Sequence, residues 1–279
     1  VVILGIGISG YHPVGISAIA DLTTEENTGK LMSVQAIGGS LGVGLTPLVL
    51  GKLATTLGWR VPLRYFALAG LPLLILIFLT LDQTTTESKS RNLSISAMSL
   101  TIAVASFYFF RGFVFKSITT FLPTYFVEIK GLSLAGGGLN TSIFLLTGVI
   151  AQPIGGILAD RLNKVLILVF STFSGAIVLF ALTSLPIGPF GVYFLLVLLG
   201  MCLYLTGPSI LALVKKVTPS GNYGRSFGFT FTTVAIAGTI APIVVGYIGD
   251  SFSLSLAFRA LPPLLIIAGL GIFLVRDKI

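Results

Sequence analysis

Residues 165–214 read VLILVFSTFSGAIVLFALTSLPIGPFGVYFLLVLLGMCLYLTGPSILALV, fifty positions without one charged side chain. A bilayer core takes roughly 20 apolar residues per helix, so the run is too long for one span. Pro186-Ile187-Gly188-Pro189 divides it into two. On either side, Leu31–Gly51, Asn92–Phe110, Gly131–Ala159 and Ser226–Gly249 are also free of charge. Charged residues make up 9% of the chain, against about 25% in a soluble domain. The dyad alternation of a membrane β-barrel is missing. These features specify an all-α polytopic membrane protein with the lipid bilayer as its first partner.

Nine spans are expected, at 1–20, 29–57, 62–82, 94–127, 134–159, 164–184, 188–214, 223–249 and 256–275. The connecting loops are short. The most polar, Asp82–Asn92, reads as a solvated linker. The net charge of +8 lies mainly in loops, which points away from nucleic acid. One side of the layout carries Lys30, Lys89, Arg91, Arg161, Lys164, Lys215, Lys216, Arg225, Arg276 and Lys278. The other carries Lys52, Arg60, Arg64, Lys130 and Arg259. The richer side is expected in the cytoplasm, with the C-terminus there too, in a multi-pass plasma-membrane protein. Cys202 is the only cysteine and lies inside an apolar run, so no disulfide or thiolate metal site follows and no cofactor is expected. The first residues read as the middle of a helix, not as a signal peptide.

An internal repeat is visible at a shift of 195 residues. Gly5 meets Gly200, Pro13 meets Pro208, Thr23 meets Thr218, Asn27 meets Asn222 and Gly29 meets Gly224. Pro47 meets Pro242, Gly51 meets Gly246 and Arg64 meets Arg259, with Lys30 opposite Arg225. Proline and glycine mark kinks and close approaches in membrane helices, so matched positions imply matched helices. Three spans lie between the third span and the repeat of the first. The unit is therefore six spans, the first unit shows its last three, and three further spans are expected ahead of this sequence.

Gly155-Gly156-Ile157-Leu158-Ala159-Asp160-Arg161-Leu162-Asn163-Lys164 closes a short loop between two spans. It resembles the G-x-x-x-D-R-x-G-R/K loop of the major facilitator superfamily, with Asn163 in place of a glycine. Asn tolerates the left-handed backbone such a turn needs. The resemblance covers the whole chain and implies helices 4–12 of a twelve-helix fold. It divides the chain into residues 1–82 (helices 4–6), a cytoplasmic linker at 83–93, and a six-helix half at 94–279. By the same resemblance Asp160 should reach the start of the span at Gly29-Lys30-Leu31. Gly29, Lys30, Gly156, Asp160, Arg161 and Lys164 would then form a latch that closes the cytoplasmic side.

Gly44-Leu45-Thr46-Pro47-Leu48-Val49-Leu50-Gly51 resembles, in degraded form, the antiporter signature of drug-exporting members. Tyr11-His12-Pro13, with Phe121-Leu122-Pro123-Thr124-Tyr125-Phe126, resembles the fosmidomycin-resistance group. His12 is the chain's only histidine and stands inside a span, which makes it a candidate for proton handling or substrate contact. Arg111 falls near mid-membrane, with Tyr108 one turn away on its face. No Asp or Glu lies in the middle of any span, so the guanidinium suits an anionic substrate or a carboxylate in the spans expected ahead of this sequence. Lys116 is on another face and snorkels outward. Gln35, Asn140, Gln152 and Tyr204 are further polar groups at membrane depth, open to substrate or to neighbouring helices. Pro13, Pro47, Gly51, Pro208, Pro242 and Gly246 are expected at kinks and close contacts.

The resemblance implies a monomeric secondary transporter that works by alternating access. It implies proton-coupled efflux of a small organic compound, anionic or phosphonate-like. Uptake of an organic acid or sugar is the second reading, a truncated and inactive fragment the third. A membrane enzyme would need clustered His, Asp or Glu at one depth, and one histidine without an intramembrane acid argues against it.

Overall fold

A computed structural model describes residues 11–24, 26–58, 60–80, 95–219, 221–274 and 276. At 11–13, 21, 43–56, 62, 63, 77, 80, 95–99, 134 and 135 the description is of the backbone alone. Ten helices follow in order among the described residues: α1 (Tyr11–Leu22), α2 (Thr28–Leu57), α3 (Arg60–Thr80), α4 (Ile95–Glu128), α5 (Leu134–Arg161), α6 (Lys164–Ser184), α7 (Pro189–Val217), α8 (Tyr223–Ser251), α9 (Leu254–Arg259) and α10 (Leu261–Phe273). Among the described residues six stretches are long and apolar enough to cross a bilayer, in α4 to α8 and over Leu254–Phe273. The linker expected at 83–93 lies outside the described residues.

Each boundary has a local cause. Gly131 takes a left-handed φ of 69° after α4, and Leu132 N–H returns to Phe126 O at 3.0 Å. Only glycine adopts that backbone without cost. The Ser133 hydroxyl then accepts from Gly136 N at 3.1 Å and starts α5. The last expected span is two helices, not one. The Ser253 hydroxyl caps α9 through Leu256 N at 3.1 Å, two residues earlier than the apolar run suggests. Pro262 and Pro263 have no N–H to continue its ladder, so α10 begins anew at Leu261.

Asn163 also differs from expectation. Its backbone is extended (φ −64°, ψ 115°), not left-handed. It works as an N-cap instead, its side-chain oxygen accepting from Val165 N at 2.9 Å and Leu166 N at 3.4 Å. A cap needs an acceptor side chain, which the usual glycine lacks.

α5 sits at the centre of the packing, against α7 on one side and α2 on the other, while α4 lies along α8. Glycines set the first two approaches. A side-chain carbon at Gly155 would come within 2.6 Å of Leu205 O, and one at Gly156 within 2.5 Å of Gly29 O. Backbones this close are how membrane helices associate where lipid gives no hydrophobic drive. The apolar interior falls into two clusters. One includes Val114, Ile118, Leu122, Phe144, Leu199 and Leu203. The other, toward the end rich in Lys and Arg, includes Ile16, Met32, Val104, Phe107, Ile210 and Phe227.

Candidate functional site

Arg111 lies between those two clusters. About 24 Å of α4 precede it and about 26 Å follow, at roughly 1.5 Å per residue. Its side chain is 8% exposed. Nε donates to Thr206 Oγ1 at 3.0 Å and an Nη donates to Leu203 O at 2.6 Å. The Thr206 hydroxyl itself donates to Leu203 O, so the polar unit is closed upon α7. The guanidinium carbon stands 4.8 Å from the Phe115 ring centre. Phe115 meets Tyr204 edge-on at 5.2 Å, and Tyr204 fills a slot at Gly148, where an added carbon would lie 2.7 Å from its ring. The cation is thus held by neutral oxygens and aromatic faces. Placing an arginine at mid-membrane costs about 2.5–3.5 kcal/mol on insertion scales. Two bonds from a charged donor return about 1.5–3 kcal/mol each. Neutral partners therefore suffice to hold Arg111, and among the described residues none of its hydrogen-bond partners carries a compensating charge.

The other polar candidates separate. Tyr108 is buried and meets Phe231 edge-on at 6.4 Å. Gln152 donates to Ser40 Oγ at 2.5 Å, which joins α5 to α2. Gln35 is half-buried on α2. Asn140 donates to Gly136 O at 2.8 Å within its own helix, and Lys116 is exposed. Tyr11, His12 and Pro13 open α1, and Pro47 and Gly51 lie in α2, but their side-chain surroundings fall outside the described residues. Pro208 is buried in α7 and Pro242 half-buried in α8. A carbon at Gly246 would meet Phe121 at 3.5 Å, an ordinary contact between α8 and α4.

At the basic end the Asp160 carboxylate accepts from Gly29 N at 2.7 Å and from Lys30 N at 2.8 Å. It occupies two of the backbone donors that an α-helix leaves open in its first turn, at the positive end of the helix dipole. The fit depends on glycine on both sides. A carbon at Gly29 would lie 2.5 Å from Gly156 O and 2.7 Å from Asp160 Oδ1. Arg161 is exposed in the last turn of α5, and Lys164 is half-buried as the first residue of α6.

Sequence reasoning missed Lys215, which it counted as a loop charge. Its side chain is 8% exposed. The ammonium donates to Thr23 O, to Thr23 Oγ1 at 2.6 Å and to Thr28 Oγ1 at 3.0 Å. The turn between α1 and α2 is thus gripped twice. A carboxylate of α5 takes the N–H groups at the start of α2, and an ammonium of α7 takes the carbonyl at the end of α1. Each charge meets the dipole end of opposite sign. Lys215 is the position before Lys216 in the last turn of α7, and neither its residue type nor its place at the helix end separates it from a solvated charge.

The family model described as "Major Facilitator Superfamily" matches this sequence over residues 1–139 and again over 104–278. The chain belongs to the major facilitator superfamily. A crystal structure of the Escherichia coli fucose:proton symporter FucP superposes with a TM-score of 0.78 at 14% identity, covering 95% of this chain and 73% of that one. Its likeness extends to the superfamily fold. The probable nitrate/nitrite transporter NarK2 of Mycobacterium tuberculosis is 29% identical over 137 residues, 49% of this chain and 34% of the relative. The nitrite extrusion protein of Bacillus subtilis is 27% identical over 188 residues, 64% of this chain and 47% of the relative. The matched part thus spans less than half the length of either relative. Superfamily membership makes this a multi-pass membrane protein.

Proposed function

We propose that the whole protein moves a small anion across the membrane by alternating access. The observation that carries this reading is Arg111: a buried cation at mid-membrane depth whose hydrogen bonds go to the neutral oxygens of Thr206 and Leu203. An anion arriving at that depth supplies the missing charge, and a planar oxyanion matches the guanidinium fork. The names of the two relatives point the same way, since nitrate and nitrite are small oxyanions.

The proposed direction is outward with protons as the coupling ion, supported by the resemblance of 44–51 to the antiporter signature and by the nitrite extrusion relative. His12 is the proposed proton carrier. The Asp160 grip on Gly29 and Lys30 is the proposed latch, holding the basic, cytoplasmic end closed while the cavity opens outward.

Flux of nitrate, nitrite and an organic phosphonate in everted membrane vesicles containing the whole protein tests this. Saturable, proton-dependent movement of at least one anion is expected. Arg111→Ala should lower kcat/KM by roughly tenfold or more, because the charge is removed, with Arg111→Lys intermediate. Unchanged anion transport in Arg111→Ala would sink the proposal and leave Arg111 a packing residue.

A further inference from the structure

A cavity of about 380 Å³ opens at the basic end, away from Arg111. That volume is at the small end of the roughly 300–1,000 Å³ range of small-molecule sites. Three lysines line it: Lys164 from the start of α6, and Lys215 and Lys216 from the end of α7. Thr23, Thr28, Thr218 and Tyr223 supply hydroxyls, and none of the lining residues is acidic. Lys215 is the floor, buried and bonded to Thr23 of the α1–α2 turn and to Thr28, the first residue of α2. Among the described residues, the Lys164 and Lys216 side chains form no hydrogen bond. A smaller cavity next to it shares both of them and adds Arg276. The first residues of three helices, Thr28 of α2, Lys164 of α6 and Tyr223 of α8, reach the same space. Three positive helix ends thus face the negative ends of α1 and α7 across this space, and the ammonium of Lys215 already answers that of α1.

Like charges that share a cavity repel, and a partly enclosed setting screens them less than open water does. An anion with several acceptor oxygens, a phosphodiester with one charge or free phosphate with up to two, would relieve that repulsion. It would be bound by the ammoniums of Lys164 and Lys216, with hydroxyl donors on the walls. We propose that this cavity binds a phosphate group, and that the bound phosphate ties the α1–α2 turn to α6, α7 and α8. The group belongs either to free phosphate or to the headgroup of an anionic phospholipid at the membrane surface. The inference does not depend on the transport proposal, because neither the Arg111 layer nor the Asp160 contact contributes a lining residue.

The test is lysine acetylation of the folded protein, read residue by residue by peptide mass spectrometry. Inorganic phosphate is titrated against chloride at equal ionic strength in detergent. In parallel, the protein is held without phosphate in nanodiscs of phosphatidylcholine or phosphatidylglycerol. At saturation, labelling of Lys164 and Lys216 should fall roughly fivefold or more, with exposed Lys30 unchanged as the internal reference. Protection by inorganic phosphate identifies a free-phosphate site. Protection only in phosphatidylglycerol discs identifies a headgroup site. Equal labelling of Lys164, Lys216 and Lys30 in every arm overturns the proposal. Loss of the protection in Arg111→Ala also overturns it as a separate site. The Lys164→Ala/Lys216→Ala double variant, freed of two repelling charges, should melt no lower than the parent without ligand and should lose the phosphate-induced rise. A rise that survives in that variant places the ion elsewhere and overturns the assignment.

Discussion

The first turns of α2 and α8 carry matched residues of the internal repeat, Gly29-Lys30 and Gly224-Arg225, and sit in opposite surroundings. Gly29 is buried against Gly156, and its N–H is taken by Asp160. Gly224 is exposed, and a side-chain carbon there would meet nothing within 4 Å. Equal sequence therefore does not make equal function. A glycine at a helix start becomes a contact only where a second glycine lets a backbone approach and a carboxylate arrives with it. In this structure α5 brings both to α2.

The largest expected break in that comparison is Asp160→Ala. It strands two backbone N–H groups at about 1–3 kcal/mol each, so roughly 2–6 kcal/mol of closure should be lost. Spin labels on exposed Glu26→Cys and Leu162→Cys, in a Cys202→Ser background, would report it as a longer distance across the basic end. Asp160→Asn keeps one acceptor and should show about half the effect. Next comes Gly156→Ala, whose new carbon would press to 2.5 Å from Gly29 O. Overpacking of this kind costs about 1–3 kcal/mol, and the same distance measurement plus melting temperature would show it.

Lys215→Met keeps the aliphatic stem and removes the bonds to Thr23 and Thr28. It should cost about 1–2 kcal/mol, visible as faster backbone hydrogen exchange over 23–30 with other segments unchanged. Smallest is Gly224→Ala, expected within about 0.5 kcal/mol of the parent in melting temperature. A large loss there would show that α8 uses its glycine as α2 does, and the contrast between the two helix starts would collapse.

The helices were legible because lipid demands long charge-free runs, and the starts at Leu134, Lys164 and Tyr223 fall within a residue of the expected ones. The division at Ala260 was legible in Pro262-Pro263, but the apolar content of the segment masked it. Asn163 was misread because its residue type suits either a left-handed turn or a cap. Only the neighbouring N–H groups decide between those two. The meeting of Asp160 with Gly29 came from a family resemblance and not from spacing, since 131 residues separate the two. Lys215 stayed hidden because hydropathy assigns a terminal lysine to water, while burial depends on which hydroxyls another helix presents. Arg111 was legible as a cation at mid-depth. Its partners Thr206 and Leu203 were not, because nothing in the sequence fixes the rotation of α7 against α4.

The bond between Lys215 and Thr23 joins residues 192 positions apart. During synthesis the acceptor emerges long before its donor. The helices from α2 to α6 and nearly all of α7 must be made before the ammonium exists to take hold. The order of synthesis makes Asp160 available to the α1–α2 turn before Lys215. A chain held at the stage where Asp160 has left the ribosome and Lys215 has not would have one of the turn's two fastenings.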